Sequence, residues 1–263
     1  MNVCVVVAAA GRSERFGGSD KLAADLGGRP LLIRVVETFT KRDEVSSVVV
    51  AGPPDGLEDF KTKYGATLGF LGATIVAGGR VDRWETVKNA LAAVPDEATH
   101  VAVHDAARPG VGNKLLNRIF EAARRLPAVV PAITITATVK RVDDEPVDVT
   151  APEDDAIADD ILGEAGRVTL EARKVTETVD RRGLVEVQTP QVFVVDLLRR
   201  AYAQADLDQA TDDASLVERL GEPVHVVEGD VRNLKVTGPD DLELMRLILG
   251  VKPPAERPVH KRF

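Results

Sequence analysis

The sequence predicts an α/β fold, a mostly parallel sheet layered between helices with a protruding β-arm. Three observations carry this. Short β-branched runs recur at Asn2–Ala10, Val45–Ala51, Ala73–Ala77, Thr99–Val103 and Ala128–Thr136, with segments of helical apolar spacing between the first four. The chain has 263 residues, which suits one large α/β domain better than two equal ones. The pattern also breaks between Thr138 and Thr178, where charged β-like runs such as Arg167–Glu171 replace it.

In chain order, the Asn2–Ala10 run is almost wholly apolar, as expected of a strand covered on both faces. Leu31, Leu32, Val35, Val36 and Phe39 then mark one face of a helix, with Pro30 at its start, where a missing N–H costs nothing. A second helix is expected from about Arg83 to Ala93. A third should follow Gly112, burying Leu115, Leu116, Ile119, Phe120 and Ala123. After Val187 the alternation resumes: Leu197, Leu198 and Ala201 on one helix, Leu216, Val217 and Leu220 on another, a strand at Val224–Val227, a further strand over Asn233–Thr237 with Lys235 near its end, and a closing helix from about Pro239 to Leu249. This gives a Rossmann-like three-layer domain over residues 1–250, a β-arm with an acidic insertion over 138–180, and a tail from 251 to 263.

Charge narrows the function classes. The 34 basic and 42 acidic residues give a net charge of -8, which disfavours nucleic acid and acidic membranes as partners. Ten of the acidic residues, with no basic one among them, lie between Val142 and Gly166, so the rest of the chain is near neutral and can host a phosphate pocket. That acidic stretch also reads as a plain surface loop. Cys4 is the single cysteine and sits in an apolar run, which reads as a packed thiol and excludes an intrachain disulfide. The strand pattern at Val3, without a charged leader, and the lack of about 18 consecutive apolar residues predict a cytoplasmic protein that does not enter the membrane.

Two segments point to chemistry. The first strand runs into Ala8-Ala9-Ala10-Gly11-Arg12-Ser13-Glu14-Arg15-Phe16-Gly17-Gly18, followed by Lys21. Small residues let backbone N–H groups approach an anion, and Arg15 and Lys21 add charge where a polyphosphate would lie. Neither common nucleotide fingerprint is present, and such a loop can be a mere tight connection. The fourth strand ends in His104-Asp105-Ala106-Ala107-Arg108-Pro109, where open parallel sheets bind ligands. There Asp105 could ligate a divalent cation and Arg108 could grip an oxyanion; the alternative is an exposed turn closed by an ion pair.

Taken in order with Thr178-Val179-Asp180-Arg181-Arg182-Gly183-Leu184, Gln188-Thr189-Pro190-Gln191-Val192-Phe193, Thr211-Asp212-Asp213-Ala214-Ser215, Asn233-Leu234-Lys235-Val236-Thr237 and Pro239-Asp240-Asp241-Leu242, these segments resemble the 2-C-methyl-D-erythritol 4-phosphate cytidylyltransferase family. The resemblance spans Val3 to Leu249, and its strength lies in the ordered set rather than in any one motif.

The resemblance implies a cytidylyltransferase that moves CMP from CTP onto a polyol phosphate. It assigns Ala9, Ala10 and Gly11 to wrapping the nucleotide, with Arg15 and Lys21 neutralising its phosphates. Gly78, Gly79 and Thr86 would meet the base, although the glycine pair also reads as a plain strand-to-helix turn. Asp105 would hold Mg2+ and, with Ala106, border the nucleotide. Arg108, Thr138, Arg181, Thr189, Thr211 and Lys235 would surround the acceptor. Arg15, Lys21 and Lys235 would do the catalytic charge neutralisation, and His104 would pack behind the site rather than act as a base. Other roles fit some of these residues equally: a surface ion pair for Arg181, a helix N-cap for Thr211, a turn before Pro190 for Thr189.

The resemblance further implies a homodimer joined through the β-arm, with Arg181 lent to the other subunit. The chain departs from the family's pattern at Ser13 and at Asp20 and Leu22 around Lys21. It is one residue longer between Gly79 and Thr86, and much longer between Arg141 and Arg173. A pyrophosphorylase for another polyol phosphate, such as ribitol 5-phosphate, is the nearest alternative. A non-catalytic sugar-nucleotide sensor is the other, and it would be expected to lack Lys21, Asp105 or Lys235.

Overall fold

The computed structural model describes residues 1–11, 16, 20–148, 171–208 and 210–253. They form two compact units, a main body (residues 1–133 and 187 onward) and a smaller unit over Thr134–Glu186.

The main body opens with β1 (Val3–Ala8), α1 (Leu31–Thr40), β2 (Val45–Gly52), α2 (Leu57–Phe70), β3 (Ala73–Ala77), α3 (Arg83–Leu91), β4 (His100–Asp105), α4 (Asn113–Ala123) and β5 (Ala128–Thr134). The smaller unit holds β6 (Val139–Asp148) and β7 (Glu171–Val179), and β8 (Val185–Val187) leads out of it. The chain then completes the body with β9 (Gln191–Val194), α5 (Val195–Tyr202), α6 (Asp213–Arg219), β10 (His225–Glu228) and α7 (Pro239–Leu249).

The sheet of the body runs β10-β5-β9-β4-β1-β2-β3. All these neighbours are parallel except β9, which is antiparallel to both β4 and β5. From β1 the chain first builds outward through β2 and β3, then returns to place β4 on the other side. The strand order therefore reverses at the β1–β4 border, where Ala8 pairs with Asp105. Open α/β sheets bind their ligands in the crevice at such a reversal, beyond the carboxyl ends of the strands.

Alternation along β1 explains the layering. Val3, Val5 and Val7 enter a core shared with α1, α2, α4 and α7, while Cys4 and Val6 enter a second core under α3, α5 and α6. Cys4 is fully buried, and burial pushes its thiol pKa up.

Two elements go beyond the sequence expectation. In α2 the inward stripe is only Phe60, Tyr64 and Leu68, broken by Gly65 and Gly69, so its periodicity is faint. In β9 only four residues pair, too few for a clear alternation. A third difference is a correction. Asn233–Thr237, expected to form part of a strand, is not one; its backbone meets the sheet end through Val236 N–H, which donates to the Ala107 carbonyl at 2.8 Å.

The smaller unit is an antiparallel ladder pairing Val139 with Val179 and Asp148 with Glu171, with register shifts between them. Arg141 and Glu177 face each other across it at 3.1 Å. The acidic insertion expected over 142–166 falls mostly outside the described residues, as do the Arg167–Leu170 part of the expected β-run and the tail beyond Pro253. Among the described residues no helix is long and apolar enough to cross a membrane.

Candidate active site

A cavity of about 710 Å3 opens at the β1–β4 reversal. The residues after β1, Ala9, Ala10 and Gly11, form one side, and Lys21, Gly79, Arg83, Thr86, Asp105, Ala106 and Lys235 are among those lining the rest. Most of the residues expected around a nucleotide are thus brought together. Ala9 N–H donates to the Ala51 carbonyl at 2.9 Å, which ends the strand pairing and turns Ala10 and Gly11 into the cavity.

Asp105 is the charge centre of the floor. Its Oδ1 accepts from Arg83 Nε at 3.0 Å, its Oδ2 pairs with Lys235 Nζ at 2.8 Å, and Arg108 Nε lies 3.8 Å away. Burial alone would raise this carboxyl, but Arg83 and then Lys235 outweigh it and hold Asp105 well below the usual carboxylate range. The group is an anion at any working pH.

Behind Asp105 lies a chain of buried hydrogen bonds. His104 Nε2 is 3.1 Å from the Arg108 carbonyl, which can only accept, so Nε2 carries the proton. Nδ1 of the neutral ring is then an acceptor, and the Thr189 hydroxyl donates a hydrogen bond to it at 3.1 Å. That leaves the Thr189 oxygen to accept from Asp105 N–H at 3.1 Å. Burial pulls the His104 imidazole down to about 4, against the opposing charge of Asp105, so the ring is neutral and the chain is complete. His104 does not border the cavity.

The same buried residues place Lys235. Gln188 Nε2 donates to the Asp230 carbonyl at 2.9 Å, Asn233 Nδ2 to the Thr189 carbonyl at 2.7 Å, and Arg108 Nη1 to the Asn233 carbonyl at 2.8 Å. Side chains thus hold the segment that a strand was expected to hold. Gly110 belongs to this arrangement, because a Cβ there would lie 2.0 Å from the Arg232 carbonyl oxygen. Arg108 and Thr189, expected to touch the acceptor, are both buried, 7% and 5% exposed, directly beside Asp105. Thr189 Oγ1 accepts from Asp105 N–H and Arg108 Nη1 donates to the Asn233 carbonyl, so both residues brace Asp105 and the Asn233–Lys235 segment.

On the opposite wall, Gly79 N–H donates to the Thr86 hydroxyl at 3.0 Å, which leaves the hydroxyl proton for a ligand. A Cβ on Gly79 would lie 2.2 Å from Glu85 Cβ, so the turn admits no side chain there. Gly78 lies behind it rather than on the cavity wall. The extra residue between Gly79 and Thr86 is absorbed by Glu85, whose Oε2 accepts from the N–H groups of Arg80, Val81 and Asp82 at 2.9, 2.9 and 3.4 Å.

Lys21 stands on a short 3-10 turn, Lys21–Ala23, capped by Asp20, which accepts from Leu22 N–H at 2.9 Å. The other Asp20 oxygen is held from α2 by Lys63 at 2.7 Å and by the Tyr64 hydroxyl at 2.8 Å. The departure at Asp20 therefore comes with its own anchors. Thr211 is exposed and precedes α6, but the helix cap that its type would suit is taken by Asp212, which accepts from Ser215 N–H at 2.9 Å. Thr138 and Arg181 belong to the smaller unit, both exposed, with Arg181 donating to the Thr136 carbonyl. Arg15 lies outside the described residues.

Sequence reasoning missed Arg83 as a site residue. The apolar spacing marks it only as the start of a helix, yet it bridges Asp105 and the fully buried Asp213, with Nη1 2.9 Å from Asp213 Oδ2.

Comparison with known proteins accounts for this arrangement. The family model for 2-C-methyl-D-erythritol 4-phosphate cytidylyltransferase matches residues 3–158 and 161–251. The chain belongs to that family. A relative of that name from Frankia casuarinae is 38% identical over 97% of this chain and 84% of its own length. One from Rhodococcus jostii is 39% identical, covering 94% of this chain and 95% of the relative. A bifunctional enzyme from Solidesulfovibrio magneticus is 38% identical, but the chain spans only 56% of its length. The crystal structure of the family's protein from Thermus thermophilus superposes with a TM-score of 0.68 at 32% identity, covering 95% of this chain and all of that one.

Members of the family are generally dependent on a divalent metal, and the floor suits one. Among the described residues no three His, Cys, Asp or Glu side chains converge on a common point. That is consistent with Mg2+, which keeps waters and shares its shell with substrate phosphates, needing one or two carboxylates. Asp105 Oδ2, at the cavity wall beside a Lys235 side chain that is 43% exposed, is such a carboxylate.

Proposed function

We propose that this chain transfers CMP from CTP onto 2-C-methyl-D-erythritol 4-phosphate and releases pyrophosphate. The observation that carries the reading is the Asp105–Lys235 pair at the strand-order reversal, facing Lys21 and the Ala9–Gly11 loop across one cavity. A phosphate oxygen of the acceptor attacks the α-phosphorus; that P–O bond forms as the bond to the pyrophosphate oxygen breaks. The attacking phosphate is already ionised, so no general base is required and the protein's work is positioning and charge neutralisation.

Ala9, Ala10 and Gly11 supply backbone N–H groups to the nucleotide, and Lys21, joined by Arg15, carries positive charge to the triphosphate. Thr86 offers its hydroxyl proton to an acceptor atom on the base edge, beside the Gly79 turn. Asp105 holds the divalent cation, which when bound neutralises charge on the phosphates. Lys235 stands between Asp105 and the acceptor's phosphate. Thr211, Thr138 and Arg181 are exposed hydroxyls and a guanidinium of the kind a polyol phosphate needs, and the family resemblance assigns them to the acceptor. The reading extends to a cytoplasmic homodimer joined through the hairpin unit, with Arg181 serving the neighbouring subunit.

Pyrophosphate release over a panel of polyol phosphates tests the substrate. Release with CTP and 2-C-methyl-D-erythritol 4-phosphate is expected; rapid release with ribitol 5-phosphate and none with the methylerythritol compound would overturn the assignment. Saturable CTP binding without turnover of any acceptor would instead favour a sensor.

A further inference from the structure

Asp105 has two oxygens, and the structure divides them between unlike partners. Lys235 on Oδ2 is a flexible ammonium, nearly half exposed on the cavity wall. Arg83 on Oδ1 is three-quarters buried, and its guanidinium is clamped from the other side by Asp213 at 2.9 Å. Asp213 has no exposed surface, and its second oxygen accepts from the Tyr202 hydroxyl at 2.5 Å. The planar guanidinium hydrogen-bonds Asp105 through Nε and ion-pairs with Asp213 through Nη1, a two-sided fit that an ammonium on a flexible stem cannot reproduce with the same geometry.

The line Asp105–Arg83–Asp213–Tyr202 joins the end of β4 to the first residue of α3, the first residue of α6 and the last residue of α5. Both Arg83 and Asp213 are fixed by helix starts, so the orientation of Oδ1 is set by rigid elements rather than by solvent. With Oδ1 held, Oδ2 is the oxygen that can meet a ligand.

We propose that Arg83 is a positioning residue which, anchored by Asp213 and Tyr202, fixes the Asp105 carboxylate so that Oδ2 faces the metal and nucleotide. The inference rests on the proposed reaction but assigns a role that the reaction alone does not require. A purely structural alternative exists: Arg83 neutralises a buried Asp213 and nothing more. The two roles separate in a paired substitution.

Arg83→Met leaves Asp213 as an unpaired buried anion, so both roles predict a lower Tm. Adding Asp213→Asn removes that anion, and both predict that the Tm recovers. Only the positioning role predicts that R83M/D213N, stable again, keeps a kcat at least tenfold below wild type and binds Mn2+ at least fivefold more weakly in the presence of CTP. Arg83→Lys is expected to recover only a minor part of kcat, and R83M in a D105N background to add less than twofold.

Recovery of kcat and Mn2+ affinity together with Tm in R83M/D213N would overturn the proposal. So would an R83M kcat within twofold of wild type. The Mn2+ measurement needs no acceptor, so it can fail independently of the substrate assignment, which wild-type turnover decides.

Discussion

The floor and the rim of the cavity both present a cation to the same space, but they hold it by opposite means. At the floor, Lys235 pairs with the carboxylate of Asp105, a residue only 8% exposed, whose carboxylate is held by Arg83 and whose backbone N–H is held by Thr189. These partners come from positions scattered between residues 83 and 235 and converge only through the fold. At the rim, Lys21 follows Asp20, which is tied to two neighbouring residues of one helix, Lys63 and Tyr64, with Lys63 half exposed. The floor is over-determined and mostly buried, and the rim is local and half exposed. Substitutions at the floor should therefore change stability and chemistry together unless they touch its one exposed member, whereas those at the rim should tune activity alone.

The sharpest separation comes from that exposed member. Lys235→Ala removes the ammonium that the proposed reaction sets at the phosphates, without opening a buried void, since its side chain is 43% exposed. By analogy with loss of one preorganised charge-stabilising group, kcat should fall about 10²–10³-fold. CTP affinity should change less than about tenfold, one decade being about 1.4 kcal/mol, and the Tm should stay within about 2 °C, as for surface substitutions in a chain of this size. Stopped-flow pyrophosphate release and calorimetric CTP binding read the two quantities. Unchanged kcat would remove Lys235 from the chemistry and leave the floor a purely structural cluster.

Thr189→Val is the floor's buried counterpart. The methyl group fills the volume but leaves Asp105 N–H without its acceptor and His104 Nδ1 without its donor, a buried loss of about 1–3 kcal/mol. Urea unfolding should show that loss, and kcat should fall about tenfold, consistent with the sensitivity of rate to small misplacements. A drop in stability with kcat intact would show that Asp105 keeps its position without this bond. The floor would then be less tightly coupled than its hydrogen bonds indicate.

The same contrast explains what the sequence made legible. Asp105, Lys21 and the Ala9–Gly11 loop were readable as neighbours of one cavity because each lies in a motif directly after a strand or beside a glycine turn, whereas Lys235 was reached only through the family resemblance. The β-branched runs revealed the parallel core because two-sided burial leaves them almost wholly apolar. Arg83 was not readable as a site residue: its partners Asp105 and Asp213 lie 22 and 130 positions away, and nothing local distinguishes it from any arginine opening a helix. Arg108 and Thr189 were placed in the right neighbourhood, but their bonds to the Asn233 carbonyl and to His104 were not legible, since a motif gives a position along the chain and not the partners a side chain finds. The Asn233–Thr237 segment mimicked a strand because its apolar residues alternate, while its actual partners are the Arg108 side chain and the backbone carbonyls of Thr189 and Ala107.

Asp20→Asn probes the rim and should have the smallest effect. Burial raises the Asp20 carboxyl, but the bonds from Lys63 and Tyr64 and the charge of Lys63 outweigh it, and the net pKa lies below the ordinary value of 3.8. A carboxyl depressed by folding adds stability that is fully present above its unfolded pKa and is lost as pH falls through the folded one. The gap in stability between wild type and D20N should therefore be flat near neutrality and narrow below about pH 4. Because the pair is exposed, kcat/KM for CTP should fall no more than about fivefold at pH 7, matching a surface ion pair of up to about 1 kcal/mol. Added salt should shrink that difference, since exposed charges are screened. A loss as large as that of Lys235→Ala, unaffected by salt, would show that the rim is as tightly determined as the floor and that Lys21 depends on Asp20 for more than the local turn.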